Sequence, residues 1–155
     1  MIRTIIVGPG GSGKDYLRKK MESKGFSYGI MHTSRPQRKN EKDGEDYFFR
    51  DLDFFEKNEK DFIKIQNFKG WKYGLSKKEF EEKQLFVLTP SWIKSLSEKD
   101  RKESFIIYLN IEKEIIEKRL SEREDLDDPK RRILADIEDF KDFNDYDLLI
   151  KNSDF

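Results

Sequence analysis

Short runs of branched and aromatic residues recur along this chain, separated by charged stretches with helical spacing. Ile5, Ile6 and Val7 form a continuous apolar run of the kind that a strand buried on both faces requires, and Asp15 to Lys24 follows as a helix. Phe26 to Thr33 reads as a second strand, and a polar loop then extends through Glu45 to the apolar pair Phe48 and Phe49. Acidic residues at the start of Asp51 to Lys60, with Leu52, Phe54 and Phe55 inside it, predict a short capped helix. Phe62, Ile63, Ile65 and Phe68 predict a strand, Lys69 to Ser76 a turn and a short strand, and Lys77 to Lys83 a helix. Further on, strands are predicted at Leu85 to Leu88, Phe105 to Leu109 and Asp147 to Lys151. Helices are predicted at Trp92 to Leu96, Glu112 to Glu124 and, after a break at Pro129, Lys130 to Phe143. Short buried strands alternating with helices define an α/β chain with a parallel sheet covered on both faces, whose ligands bind outside the carboxyl ends of the strands.

The chain has 155 residues, enough for one domain with a substantial core. Its 32 basic and 32 acidic residues cancel, so no global field favours nucleic acid or an anionic membrane. Only 35% of residues are apolar, but 13 phenylalanines lift the aromatic share to 14%, which predicts a core of few, large side chains rather than disorder. The absence of cysteine excludes disulfides, thiolate metal sites and a thiol nucleophile. No apolar run approaches the ~18 residues of a membrane span, and a soluble cytoplasmic protein is expected.

Chemistry enters with IIVGPGGSGKDY, which fits G-x-x-x-x-G-K at Gly8, Gly13 and Lys14, between a predicted strand and a predicted helix. In that setting Gly8, Gly10, Gly11, Ser12 and Gly13 turn their N–H groups around phosphate oxygens, Lys14 reaches the β- and γ-phosphates, and Asp15 and Tyr16 open the helix beside them. A nucleotide is the expected ligand. The position after the lysine, where a hydroxyl binds Mg2+, is Asp15. A carboxylate is itself a hard oxygen ligand and would replace the hydroxyl; a helix cap is the alternative. A second anion site is predicted in the loop of residues 31 to 49, where Arg35 and Arg38 present planar forks and Tyr47 a hydroxyl, unless the loop is simply a solvated basic segment. Two phosphate sites in one small domain point to phosphoryl transfer between two nucleotides.

The order of these motifs resembles the guanylate kinase family of P-loop nucleoside monophosphate kinases, over nearly the whole chain. After the phosphate loop come His32, Thr33, Ser34, Arg35, Pro36, Gln37 and Arg38, similar to H-T-T-R-x-x-R; then Asp46 to Phe49 as D-Y-x-F; then Tyr73 and Gly74; and finally YDLLIKNSDF, Tyr146 to Phe155. The resemblance implies one domain. Its core is 1–30 and 84–155, its acceptor-binding segment about 31–83, and its shortened lid about 121–129. It implies that Arg35, Arg38, Tyr47 and Tyr73 hold the acceptor phosphate, that Arg119, Arg123 and Arg132 are donor-side and lid arginines, and that Asn152 lies near the donor adenine. ATP, Mg2+ and a nucleoside monophosphate are the implied ligands, and a monomer or homodimer the implied state. For Arg119 and Arg123 an ordinary i, i+4 helix surface is the competing reading.

At the positions where the family reads guanine, this chain carries Met31, Lys64, Leu75 (with Ser76 next) and Thr89. Lys64 presents donors where the family presents an acceptor, which disfavours a guanine edge. A different or broader set of (deoxy)nucleoside monophosphates, pyrimidine or modified-base ones among them, is therefore expected, unless Lys64 faces solvent and Gln66 or Ser76 reads guanine. Two other functions stay open: a non-catalytic binding module, kept alive by Asp15, and a P-loop kinase for another small phosphate-bearing acceptor. The single histidine, His32, is read as part of the loop's structure, the paired phenylalanines as core, and Trp71 as a candidate to stack near an acceptor base.

Overall fold

The computed structural model describes residues 1–122 and 129–155, and the side chains of all of these except Pro129 and Arg132. The chain forms two compact units, Met1–Phe26 with Leu85–Phe155, and Ser27–Gln84.

The first unit is built on four parallel strands, β1 (Arg3–Val7), β6 (Leu85–Val87), β7 (Ser104–Leu109) and β8 (Leu148–Ile150), in the order β6-β1-β7-β8. Ile5 pairs with Phe86 on one side and Ile106 on the other. These three side chains, with Ile6, Val7, Leu85 and Leu109, are essentially inaccessible to solvent, which is why the strands read as unbroken apolar runs. Among the described residues five helices accompany the sheet: α1 (Lys14–Ser23), α4 (Pro90–Ile93), α5 (Glu98–Lys102), α6 (Lys113–Ser121) and α7 (Pro129–Phe140). Arg3, buried in β1, pairs with Glu103 at 3.4 Å. Tyr108 stacks on Phe140 with ring centroids 5.4 Å apart and meets Phe143 edge-on at 5.2 Å. The helix expected to reach Phe143 ends at Phe140, so that Phe143 turns back onto Tyr108.

The second unit carries its own sheet, β2 (His32–Thr33), β3 (Phe48–Phe49), β4 (Phe62–Phe68) and β5 (Trp71–Ser76), in the order β3-β2-β5-β4. β5 runs antiparallel to both β4 and β2. Alternation of strands and helices led to one parallel sheet; the local hairpin at Lys69 and Gly70, both with positive φ, instead closes β4 on β5. The helix expected over Asp51 to Lys60 is α2 (Leu52–Lys57), capped by the Asp51 side chain on the Phe54 N–H and followed by a single 3₁₀ turn, Glu59–Asp61. α3 (Lys77–Glu82) is capped by Ser76. The strand expected over Phe26 to Thr33 shrinks to two residues. Side chains take the preceding N–H groups: Glu79 that of Ile30 at 3.0 Å, and Gln84 that of Ser27 at 3.3 Å. Phe55, Phe62, Leu75 and Phe80 form the core, with Phe55 and Phe62 stacked at 5.4 Å.

Candidate functional site: a phosphate loop and a second arginine cluster

β1 ends at Val7 and the chain turns through Gly8–Gly13 into the first residue of α1, Lys14. Gly11 (φ 79°) and Gly13 (φ 95°) adopt left-handed backbone that only glycine takes without strain, and Ser12 donates its N–H to the Pro9 carbonyl at 3.2 Å. Gly13 caps α1 with no side-chain bond, so the helix's first N–H groups and the positive end of its dipole face the loop's mouth. From α6, Arg119 donates to the Gly11 carbonyl at 3.0 Å and to the Ser153 carbonyl at 3.4 Å. It is therefore committed to the loop, not to an i, i+4 surface pair. Beside the loop lies a cleft of about 820 Å3, bounded by Lys14, Asp15 and Tyr16, by Arg119 and Glu122, and by Ser153 to Phe155. That volume suits a nucleotide-sized ligand.

Asp15 is exposed in the first turn of α1, its Oδ1 3.7 Å from Arg18 Nε. It follows Gly13 and Lys14 and so does not cap the helix. Among the described residues no three acidic or histidine groups gather into a metal cage. One carboxylate at a phosphate loop nevertheless fits Mg2+, which is commonly held by one or two carboxylates with phosphate oxygens and water completing the shell. Asn152 is exposed and its Oδ1 accepts the Asp154 N–H at 2.9 Å. Arg123 and most of the lid segment about 121–129 lie outside the described residues, and Arg132 is placed only as a position on α7.

In the second unit, Arg35 forms a fork-to-fork pair with Glu41, both Nη atoms lying 2.8 Å from its carboxylate oxygens. The guanidinium also sits 5.4 Å from the centre of the Tyr47 ring and 5.8 Å from that of Phe49. Glu41 raises the Arg35 pKa further and is itself held below the ordinary carboxylate range by the Arg35 bond. It accepts the Arg38 N–H as well, at 2.9 Å, while the Arg38 side chain stays exposed. Tyr47 and Tyr73 meet edge-on at 6.0 Å, and burial raises the Tyr47 pKa, keeping its hydroxyl a donor. The structure thus brings Arg35, Tyr47 and Tyr73 together, with Arg38 tied to the same carboxylate through its backbone.

The base-reading candidates divide. Met31 is half-buried just before β2, and Lys64 is half-buried on β4, paired in register with Leu75, its pKa lowered by burial. Leu75 is a correction: only 1% exposed, it fills the core and offers no surface to a base. The neighbouring Ser76 hydroxyl is engaged as the α3 cap. Thr89 belongs to the first unit, exposed at the start of α4, with its hydroxyl 3.0 Å from that of Ser91. His32 lies among Phe48, Phe54 and Phe62 at 4.6, 5.5 and 5.1 Å, and its pKa is lowered to about 4 by burial and then by Arg50. A neutral, caged imidazole is a packing group. Trp71 is exposed at the end of the β4–β5 hairpin.

Three contributors were not singled out in the sequence. Glu41 stood unremarked in the polar loop, six residues after Arg35. Phe155, noted only as the end of the final motif, places its ring so close to Gly13 that a Cβ there would lie 2.9 Å from its Cζ, and it meets Tyr16 at 6.2 Å. Asp136, on α7, accepts the Gly10 N–H at 2.9 Å. No local signal identifies the last two, because both act across more than a hundred residues.

A strand running into a glycine-rich turn at a helix N-terminus, on the carboxyl end of a parallel sheet, defines a phosphate-loop nucleotide-binding protein. Comparison with known proteins narrows the class. A model of the guanylate kinase family matches residues 1–155. The guanylate kinase of Lawsonia intracellularis is 43% identical over 74 residues, covering 45% of this chain and 35% of that protein. That of Hydrogenovibrio crunogenus is 32% identical over 167 residues, covering 97% of this chain and 80% of that protein. A crystal structure of guanylate kinase from Anaplasma phagocytophilum has the same fold, with a TM-score of 0.69 at 20% identity, covering 99% of this chain and 77% of that one. The chain belongs to the guanylate kinase family, and so to the ATP-binding phosphotransferases that act on nucleoside monophosphates.

Proposed function

We propose that this chain transfers the γ-phosphoryl group of ATP to a nucleoside or deoxynucleoside monophosphate whose base is not restricted to guanine. The observation that carries the reading is the presence in one chain of a glycine-rich phosphate loop and of the Arg35, Tyr47 and Tyr73 cluster. Little covalent work falls to a protein in such a transfer, since the attacking oxygen is already an anionic phosphate. Lys14 and the N–H groups at the start of α1 hold the donor phosphates, and Arg119, Arg123 and Arg132 neutralise charge that develops on the moving group. Arg35, Arg38, Tyr47 and Tyr73 orient the acceptor phosphate for in-line attack. Asp15 would hold Mg2+, which would supply further charge neutralisation. Asn152 is assigned to the donor base on the resemblance of the closing motif.

The breadth of base use is supported by Lys64, a donor, and by Leu75, which is buried, while Met31 and Thr89 complete the altered set. Each buried group left unpaired against a guanine edge costs roughly 1 to 3 kcal/mol, enough for about one to two decades in affinity. The enzyme is proposed to act on small nucleotides in the cytoplasm, as a monomer or homodimer, with no nucleic acid or membrane partner. No helix among the described residues is long and apolar enough to cross a membrane.

The test is ADP release from ATP and Mg2+ in the presence of each of a panel of ribo- and deoxyribonucleoside monophosphates. Turnover is expected with several bases and a kcat/KM for GMP no higher than for the best of them. A strong preference for GMP over every other acceptor would refute the altered base specificity. ATP binding with no turnover on any acceptor would make the chain a binding module, and turnover confined to another phosphate-bearing compound would make it a different kinase.

A further inference from the structure

The phosphate loop contains two adjacent glycines, Gly10 and Gly11, at its crest. With no Cβ on either, this dipeptide is the segment of the loop with most conformational freedom in the unliganded chain. Two charged side chains grip it. The Asp136 carboxylate of α7 accepts the Gly10 N–H at 2.9 Å, and the Arg119 guanidinium of α6 donates to the Gly11 carbonyl at 3.0 Å.

The Asp136 contact runs against what such a loop is for. Its N–H groups serve to bind phosphate, and here an internal carboxylate takes one of them. The surroundings indicate which side the carboxylate approaches from. Gly10 borders the donor cleft, but Asp136 does not. Asp136 lines a separate cavity of about 450 Å3 with Pro9, Ile116, Ile133 and Phe140. Ile133, one turn before Asp136, is buried and anchors this stretch of the helix. The carboxylate therefore reaches the loop from outside the donor cleft, holding it without standing where the triphosphate goes.

We propose that Asp136 is a positioning residue for the donor nucleotide, fixing the Gly10–Gly11 turn so that the loop's remaining N–H groups are already aimed when the triphosphate arrives. The proposal rests on the donor-binding role assigned above to Gly8–Lys14. Its physical basis is preorganisation: a loop that must be ordered at the moment of binding loses affinity by the cost of that ordering. The same bond fixes α7 on the loop.

The experiment compares wild type with D136A and D136N, reading ADP affinity by calorimetry, steady-state kinetics for ATP and for the acceptor, and thermal unfolding. D136A is expected to weaken ADP and raise the KM for ATP by about tenfold, with kcat and the acceptor KM changed less than about threefold. D136N keeps an oxygen acceptor at the same place and is expected to return ADP affinity to within about threefold of wild type. Unchanged ADP affinity in D136A with only a lower melting temperature would overturn the proposal, since that is the mark of a purely structural contact. Tighter ADP binding in D136A would also overturn it, because the carboxylate would then be competing with phosphate. So would a D136N variant as weak as D136A. If D136A does not fold, amide exchange at Gly10 in the wild-type protein decides instead: protection supports the bond, and exchange at the rate of an open loop refutes it. Should wild type bind ADP but phosphorylate no acceptor, the kinase reading falls while the ADP series still tests Asp136.

Discussion

Glu41 and Arg35 show how a partly buried charge is kept in a segment with little regular structure. The arginine side chain is 10% exposed and the glutamate 17%, and the two share a bidentate bond. Removing one partner leaves the other desolvated, so E41Q is expected to lower stability by about 2 kcal/mol at pH 7, measured by urea unfolding. Because the native pKa of Glu41 is depressed, its contribution is present above the ordinary carboxylate pKa and is lost as pH falls through the lower native value. The difference between E41Q and wild type should therefore shrink towards pH 3. His32 titrates in a higher window. Its pKa falls from 6.5 to about 4 on folding, so the unfolded chain binds the proton first and stability drops as pH is lowered from about 6.5 to 4. H32F, which keeps an aromatic ring in the cage of Phe48, Phe54 and Phe62, is expected to flatten the slope of unfolding free energy across that window. An unchanged slope would mean that the ring takes up its proton in place.

At the scale of elements, close approach of β5 to the phenylalanine core explains a glycine that the Tyr73–Gly74 motif leaves unexplained. A Cβ on Gly74 would lie 2.6 Å from two ring atoms of Phe62 and 3.1 Å from Phe55, whose own rings are stacked and cannot both give way. G74A is expected to cost about 2 kcal/mol, read as a lower urea midpoint, although alanine suits a strand at least as well as glycine. The helices α2 and α3 are fixed at their starts by Asp51 and Ser76; the acidic start of α2 is legible in the sequence, whereas Ser76 reads there only as part of the strand and as a candidate for the base. The end of α2 is less legible. The Asp51 to Lys60 stretch breaks at Asn58, whose side chain bonds the Phe54 carbonyl at 2.8 Å and ends α2 there.

For the molecule as a whole, the cleft proposed for the donor nucleotide lies within one compact unit and is assembled from α1, α6 and the last residues of the chain. A ligand that binds only the folded protein stabilises it by about 2.7 kcal/mol at a hundred times its Kd. ADP at that excess is expected to raise the melting temperature of the wild-type chain by roughly 5 to 10 °C, from the size dependence of such shifts. K14A should reduce that rise at the same ADP concentration while leaving the melting temperature without nucleotide nearly unchanged, since Lys14 is half-exposed at the start of α1. An equal shift in K14A would place ADP somewhere other than the loop.

The elements with strong local signals were determined by the sequence alone. Ile5 to Val7 and Ile106 to Leu109 are apolar throughout because both faces are covered, and Gly11 and Gly13 before Lys14 are required by positive φ. The order of the motifs was enough to identify the family and to bring Arg35, Tyr47 and Tyr73 into one expected cluster. What tertiary structure alone decided are contacts between residues far apart in the chain. Asp136 lies on the Gly10 N–H, Arg119 on the Gly11 carbonyl, Phe155 against Gly13, and Leu75 in the core although its position in the motif suggested a reader of the base. Periodicity reports which face of an element is apolar, and spacing reports local turns. Neither encodes which carboxylate, guanidinium or ring meets a given backbone group once the chain is packed.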